Sequence, residues 1–133
     1  MILADTSVWI DYFNGNDNKY TDALDTHLEN DTVAMGDLIF LEILQGFKSD
    51  KDYKQAKTTL QALGQYEMFN SQIALKSADN YRNLRKKGIT IRRTTDVIIA
   101  TFCIENKLPL LFSDRDFVPF VEHLKMKPVL KES

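Results

Sequence analysis

Short apolar runs alternate with longer segments of helical periodicity along this chain of 133 residues. The apolar runs are too short to be helices and are predicted to be strands over residues 2–4, 32–36, 109–113 and 127–130. Apolar residues at helical spacing, or nearly continuous apolar segments of helical length, predict helices over residues 7–15, 18–30, 37–47, 52–63, 72–88, 94–106 and 114–124. The alternation predicts the α/β class.

Two of the helical segments are apolar on almost every side. Residues 37–47 and 94–106 carry few charges, so both are predicted to be buried helices. Continuous apolar strands joined by helices are typical of a parallel sheet covered on both faces. Ligands of such sheets bind beyond the carboxyl ends of the strands. Asp5 and Asp114 each follow a predicted strand, so both are expected at that edge.

The composition is that of an ordinary globular protein, with 44% hydrophobic residues and a length that suits one domain over residues 1–133. No apolar run approaches the roughly 20 residues of a membrane helix, and no secretory signal precedes the first strand. The single cysteine, Cys103, has no partner for an internal disulfide. These features predict a cytoplasmic protein without a membrane association.

The net charge of −2 conceals an uneven distribution of acids and bases. Residues 1–42 contain nine acids and one base, whereas residues 82–93 contain no acid and six bases: Arg82, Arg85, Lys86, Lys87, Arg92 and Arg93. This basic segment is a candidate for contacts with phosphate groups through Arg82, Arg85, Lys86, Arg92 and Arg93. The alternative for its first four bases is a solvated helix end that favours the helix dipole. Arg92 and Arg93 are the stronger candidates, because they lie just before Asp96.

Four acids lie in apolar surroundings. Glu42 is the one charge in its helix after the opening Asp37, Asp96 precedes an apolar stretch, and Asp5 and Asp114 each end an apolar strand. A buried, unpaired carboxylate costs several kcal/mol, so each acid needs a partner. Taken singly, Asp5 would close a turn and Asp96 would favour a helix dipole. Asp114 would cap a helix in competition with Ser113, and Glu42 would pair with an arginine.

A shared divalent cation explains all four acids with one cause. Carboxylates that cluster without a cation raise one another's pKa. Oxygen ligands suit Mg²⁺ or Mn²⁺, and the lone cysteine and two distant histidines offer no zinc site. Thr6 and Ser7 carry hydroxyls placed to hold a metal-bound water or to orient Asp5. Asp116 is a candidate fifth ligand or a supporting acid.

Four segments, taken in order, resemble the motifs of the PIN-domain ribonucleases, and specifically the VapC toxins of bacterial toxin–antitoxin pairs. "ADTSVWIDYF" resembles the opening motif with Asp5 as its acid, and "LEILQGF" resembles the second with Glu42. "GITIRRTTDVIIATFCIEN" resembles the third with Asp96. "LLFSDRDF" resembles the fourth with Asp114 and then Asp116.

The resemblance implies a three-layer α/β/α domain with a central parallel sheet. It also implies an endoribonuclease that depends on Mg²⁺ or Mn²⁺, cuts RNA such as tRNA or rRNA, and is commonly a homodimer. The four acids would hold one or two ions, and metal-activated water would attack the phosphodiester. A VapB-like antitoxin would hold the enzyme inactive. We expect it to pack on the N-terminal helices, where Phe13 and Trp9 are candidate contacts and core packing is the alternative for Trp9.

Two other readings of the acids are weaker. A haloacid-dehalogenase-like phosphatase requires a second Asp two residues after the first, where this chain has Ser7. The glycine–lysine pattern of a nucleotide-binding P-loop is absent. The remaining alternative, a catalytically inactive PIN-like module that binds RNA or protein, is disfavoured because all four acids are intact.

Overall fold

The computed structural model describes residues 1–131, and in this part of the chain four short strands pair in parallel. They are β1 (Leu3–Ala4), β2 (Ala34–Gly36), β3 (Gly64–Tyr66) and β4 (Leu110–Leu111). β1 pairs with β4, and β2 pairs with β3. A bridge between Ile2 and Val33 connects the two pairs, which gives the order β3–β2–β1–β4.

Helices connect the strands and follow the last of them. The helices of the described residues are α1 (Thr6–Phe13), α2 (Lys19–Glu29), α3 (Asp37–Gln45), α4 (Asp50–Gln61), α5 (Ser71–Lys86), α6 (Thr94–Glu105) and α7 (Val118–Leu124). A short 3₁₀ helix, Arg115–Phe117, precedes α7. Across residues 1–131, none of the helices combines the length and apolarity that crossing a bilayer requires.

The sheet is covered on both faces. Successive residues of a strand point to opposite faces, and every residue of β1, β2 and β4 is buried. Helices therefore lie above and below these strands, with α1 packed against α2 and α3, and α5 packed against α6 and α7. The predicted α/β class with a parallel sheet between helical layers is confirmed.

The strands differ from the prediction at both edges of the sheet. β3 was not predicted, because all three of its residues are exposed and no apolar run marks them. The predicted strand over residues 127–130 is wrong in extent: only an isolated bridge between Pro128 and Leu110 forms there. The single domain over residues 1–133 stays a prediction, because residues 132 and 133 lie outside the described residues.

Residues 37–45 form the predicted helix, but the prediction that it is buried is wrong for most of its surface. Only Ile39 and Ile43 are buried on α3, and Leu41 is 57% exposed. The α3 helix is thus apolar on nearly all sides but buries only one face. Residues 94–106 match the prediction, because α6 buries seven residues, including Asp96 and Cys103.

Aromatic side chains fill much of the core. Trp9, Phe117 and Phe120 are completely buried, and Trp9 stacks on Phe13 with ring centroids 5.8 Å apart. The prediction that Trp9 contacts the antitoxin is therefore wrong, and its alternative, core packing, is confirmed because the side chain is completely buried. Phe13 is partly exposed.

Two segments of the chain approach each other closely at the start of α3. A Cβ atom on Gly36, the last residue of β2, would lie 2.2 Å from the Met68 sulfur. The Met68 backbone N–H also donates to Asp37 Oδ1 at 3.0 Å. The segment after β3 is thus held against the start of α3, the helix that carries Glu42.

Candidate metal centre

Asp5 stands where β1 ends and α1 begins. Its backbone N–H donates to the Leu111 carbonyl at 2.8 Å, which aligns the carboxyl ends of β1 and β4. Its carboxylate caps α1, accepting from the Ser7 backbone N–H at 3.4 Å and the Ser7 hydroxyl at 2.8 Å. The side chain is buried, and burial raises its pKa, with the nearby Glu42 charge adding to the effect and the hydrogen bonds opposing it. Asp5 therefore lies at the predicted edge of the sheet, and its carboxylate also closes the first turn of α1.

Glu42 lies across from Asp5 on α3. The Thr6 hydroxyl donates to Glu42 Oε1 at 2.7 Å, so α1 holds this acid by a hydroxyl. The alternative in which Glu42 pairs with an arginine is wrong, because no such ion pair forms among residues 1–131. The two hydroxyls predicted beside Asp5 therefore divide their contacts: Ser7 bonds Asp5, and Thr6 bonds Glu42.

Asp96 is the third residue of α6 and is 1% exposed. Burial raises the pKa of its carboxyl to about 6. The Arg93 charge and hydrogen bond oppose this shift, whereas the charges of Asp5 and Asp114 increase it. A position in the first turn is favourable for the helix dipole, but the dipole alone does not explain a carboxylate surrounded by two other acids.

Asp114 follows β4 and caps the 3₁₀ helix, with its Oδ1 accepting from the Asp116 backbone N–H at 2.9 Å. Ser113 is therefore not the cap. Its hydroxyl instead lies 3.3 Å from that of Ser7, a contact that the sequence analysis missed and that no local pattern signals. Because Ser7 also bonds Asp5, this contact links the ends of β1 and β4 through side chains.

Three carboxylates converge on one small volume. Asp96, Asp114 and Asp116 each offer an oxygen, and these oxygens lie within 4.8 Å of one another. Two oxygens on opposite sides of one Mg²⁺ lie about 4 Å apart, so the spacing is close to what a single ion requires. Asp5 acts electrostatically on Asp96, and Glu42 on Asp5. All donors are oxygens, which fits Mg²⁺ or Mn²⁺ rather than zinc.

Two arginines lie against these acids. Arg93 donates from Nε to Asp96 Oδ2 at 3.1 Å and from Nη2 to Asp114 Oδ2 at 3.0 Å. Arg92 donates from Nη2 to Asp116 Oδ2 at 2.9 Å. Both were predicted to contact RNA phosphates. The structure places both arginines on the carboxylates. Only the pairing of Arg93 with Asp96, three residues downstream, is signalled by the sequence.

The remaining predicted RNA contacts lie elsewhere. Arg82, Arg85 and Lys86 are exposed near the end of α5, and within residues 1–131 none of them pairs with an acid. Arg85 instead lies over the Tyr81 ring, 5.6 Å from its centroid. Their role stays a prediction.

With this geometry established, the chain can be compared with known proteins. It belongs to the PIN domain family, whose model matches residues 2–120. It is similar to the VapC ribonuclease Mb1587 of Mycobacterium bovis, with 28% identity over 119 residues that cover 88% of this chain and 89% of that protein. The same values hold for ribonuclease VapC11 of Mycobacterium tuberculosis.

Solved structures share the fold over nearly the whole chain. One is VapBC2 from Rickettsia felis bound to a DNA fragment from their promoter, with a TM-score of 0.75, 18% identity, and coverage of 99% of this chain and 100% of that one. Another is a toxin–antitoxin complex from Klebsiella pneumoniae, with a TM-score of 0.70, 17% identity and the same coverage. The predicted resemblance to VapC-type PIN proteins is thus confirmed.

Proposed function

We propose that this protein is a VapC-type endoribonuclease that depends on a divalent cation and acts as the toxin of a toxin–antitoxin pair. The observation that carries the proposal is the convergence of Asp96, Asp114 and Asp116, with Asp5 in electrostatic contact, at the carboxyl edge of the sheet. Similarity to proteins named VapC ribonucleases supports the activity. Mg²⁺ is the proposed ion, with Mn²⁺ as a substitute.

The proposed ligands are Asp5, Glu42, Asp96, Asp114 and Asp116. The chemistry that a divalent cation supplies in such a site is a more acidic water and positive charge beside the scissile phosphate. The protein contributes the position of the oxygens: Ser7 fixes the Asp5 carboxylate and Thr6 fixes Glu42. Ligands held by such neighbours lose little freedom when an ion binds.

The proposed substrate is RNA in a single-stranded or looped region, with tRNA and rRNA as the classes that the resemblance implies. A looped strand can place one phosphate against the acids, which a rigid duplex cannot do as readily. Arg82, Arg85 and Lys86 form an exposed basic surface at the end of α5 and are proposed to contact neighbouring phosphates. We propose that the protein acts in the cytoplasm, where such RNA occurs.

The proposed antitoxin site is a groove between α1, α3 and α4. The cavity has a volume of about 900 Å³ and is lined by residues that include Phe13, Gly46 and Phe47. Two solved structures that share this fold are a VapBC complex and a toxin–antitoxin complex. The groove combines the aromatic rings of Phe13 and Phe47 with charged side chains of both signs, so a partner segment with apolar anchors and a polar rim fits it best. Co-expression of Phe13→Asp with the neighbouring antitoxin gene should abolish co-purification of the pair.

A homodimer is also proposed, as the resemblance implies. Exposed apolar side chains around α5, with Phe69 54% and Leu75 66% exposed, support an interface on that side of the molecule. Light scattering coupled to size-exclusion chromatography measures the mass directly. A monomeric mass at micromolar concentration would contradict the dimer.

The test of the activity is incubation of the purified protein with total cellular RNA in Mg²⁺, in Mn²⁺ and in chelator. Asp5→Asn is the informative variant, because Asn still caps a helix but removes the charge. Asp79→Asn is the matched control, since Asp79 is an exposed acid on α5. We expect discrete fragments from the wild type and Asp79→Asn in metal, and none in chelator or from Asp5→Asn. RNA binding without cleavage in either metal would favour the inactive module instead.

A further inference from the structure

Arg93 joins two carboxylates that come from different parts of the fold. Asp96 lies in α6, whereas Asp114 lies after β4, and one guanidinium donates to both at 3.1 and 3.0 Å. The Arg93 charge also interacts with Asp5. A guanidinium presents its donors in a planar fork, so it can satisfy two carboxylates at once where a lysine cannot.

The position of Arg93 coincides with the place where positive charge is needed. Asp96 and Asp114 are two of the three acids whose oxygens converge within 4.8 Å. Two adjacent carboxylates without a cation repel each other, and the repulsion is strongest where the side chains are shielded from water. Arg93 supplies one positive charge that reduces this repulsion. A divalent cation would reduce it in the same way with two positive charges.

Arg93 can also leave without disturbing the core. It precedes the first residue of α6, its side chain makes no capping bond there, and that side chain is 53% exposed. An ion pair with this exposure has a small net free energy, so thermal motion or a competing cation can open it. Asp96, by contrast, is fixed by the helix and is buried.

We propose that Arg93 is an internal counter-ion that neutralises Asp96 and Asp114 in the metal-free protein and releases them when a divalent cation binds. The inference rests on the proposed function, since it assumes that these acids are the metal ligands. It assigns Arg93 a role in addition to the predicted contact with RNA. Release turns the guanidinium from the carboxylates toward solvent at the rim of the site, where it becomes available to an anionic substrate.

The test compares Mn²⁺ binding by calorimetry for the wild type, Arg93→Gln and Arg115→Gln, without RNA. Arg115→Gln is the matched control: Arg115 is exposed between Asp114 and Asp116, and within residues 1–131 it forms no ion pair. Loss of the competing ion pairs should make Arg93→Gln bind Mn²⁺ about 3- to 10-fold more tightly than wild type. The control should change by less than about twofold.

A second readout covers the metal-free state. In chelator, Arg93→Gln should melt a few degrees below wild type, and the increase in Tm on adding Mn²⁺ should be larger than for wild type. Arg93→Lys keeps the positive charge but loses the planar fork of donors, so its Mn²⁺ affinity and Tm should lie between those of wild type and Arg93→Gln. It replaces Arg93→Gln in the comparison if that variant does not fold.

The outcomes separate the two proposals. Mn²⁺ binding by the wild type with equal or weaker binding by Arg93→Gln, or by Arg93→Lys in its place, would overturn the counter-ion role and leave the metal site intact. An equal gain in Arg115→Gln would also overturn it, because the effect would then come from net charge. If neither wild type nor the Arg93 variants bind Mn²⁺, both proposals fall.

Discussion

The candidate site has two halves that stabilise their acids by different means. On one side, Asp5 and Glu42 are held by the hydroxyls of Ser7 and Thr6. On the other side, Asp96, Asp114 and Asp116 are held by the guanidinium groups of Arg93 and Arg92. A hydroxyl fixes the direction of a carboxylate but adds no charge, whereas an arginine neutralises it. For the proposed cation, the hydroxyl half already presents carboxylates without a competing positive charge, whereas the arginine half would first have to release its guanidinium groups.

The largest expected effect comes from removing one acid in each half. Asp96→Asn and Glu42→Gln should each reduce RNA cleavage about a thousandfold or more, because each removes a charge that the proposed ion requires. Cleavage of a labelled RNA under single-turnover conditions measures the loss, with circular dichroism to verify folding. If Glu42→Gln retained wild-type cleavage, the ion would belong to the arginine half alone.

The hydroxyls should have a smaller effect than the acids they hold. Ser7→Ala removes the 2.8 Å bond to Asp5, and Thr6→Val removes the 2.7 Å bond to Glu42 while preserving the side-chain shape. Each should reduce cleavage about 10- to 100-fold by loosening a ligand. Excess Mn²⁺ should recover part of this loss, whereas a purely structural defect would lower the melting temperature and show no recovery.

The stability of the protein should depend on pH through the buried Asp96 of the arginine half. Burial raises the pKa of Asp96 to about 6 in the metal-free protein, above the unfolded value near 4. The folded state thus binds this proton more tightly than the unfolded state does. Its contribution to the free energy of unfolding is complete below about pH 4 and is lost as the pH rises through 6. Urea unfolding in chelator from pH 4 to 7 measures the slope.

Asp96→Asn is the control for that slope. The variant cannot titrate at this position, so its free energy of unfolding should fall less steeply with pH than that of the wild type. Asp5, whose pKa is also raised by burial, contributes in the same direction and remains in both proteins. An identical slope in the two proteins would show that Asp96 titrates near its ordinary pKa.

The smallest expected effect lies outside both halves. Arg82→Gln and Arg85→Gln should each weaken RNA binding a few-fold. The affinity of the combined variant should depend less steeply on salt concentration, because fewer phosphate contacts form and fewer counterions are released on binding. Filter binding in chelator over a range of salt measures this without cleavage. Mn²⁺ affinity should be unchanged, which distinguishes these residues from Arg93. An unaltered salt slope would assign them to a solvated helix end.

The positions of Asp5 and Asp114 in the fold were easier to predict than the edge strands of the sheet. The end of an apolar strand is a local signal, and it placed Asp5 and Asp114 at one edge of the sheet before any contact was known. β3 carries no such signal, because Gly64, Gln65 and Tyr66 are exposed and pair through the backbone alone. The burial of α3 was overestimated for the related reason that Leu41 is apolar but faces outward, at 57% exposure.

The alternation of strands and helices and the four acids in apolar surroundings are readable from the sequence, because each depends on residues close together in the chain. The partners that the acids receive from distant segments are not. The Thr6–Glu42 bond spans 36 positions, and the Ser7–Ser113 contact spans 106. Arg93 meets Asp114 across 21 positions, because α6 and the end of β4 converge at one edge. Such contacts follow from the packing of elements, which no local pattern of residues encodes.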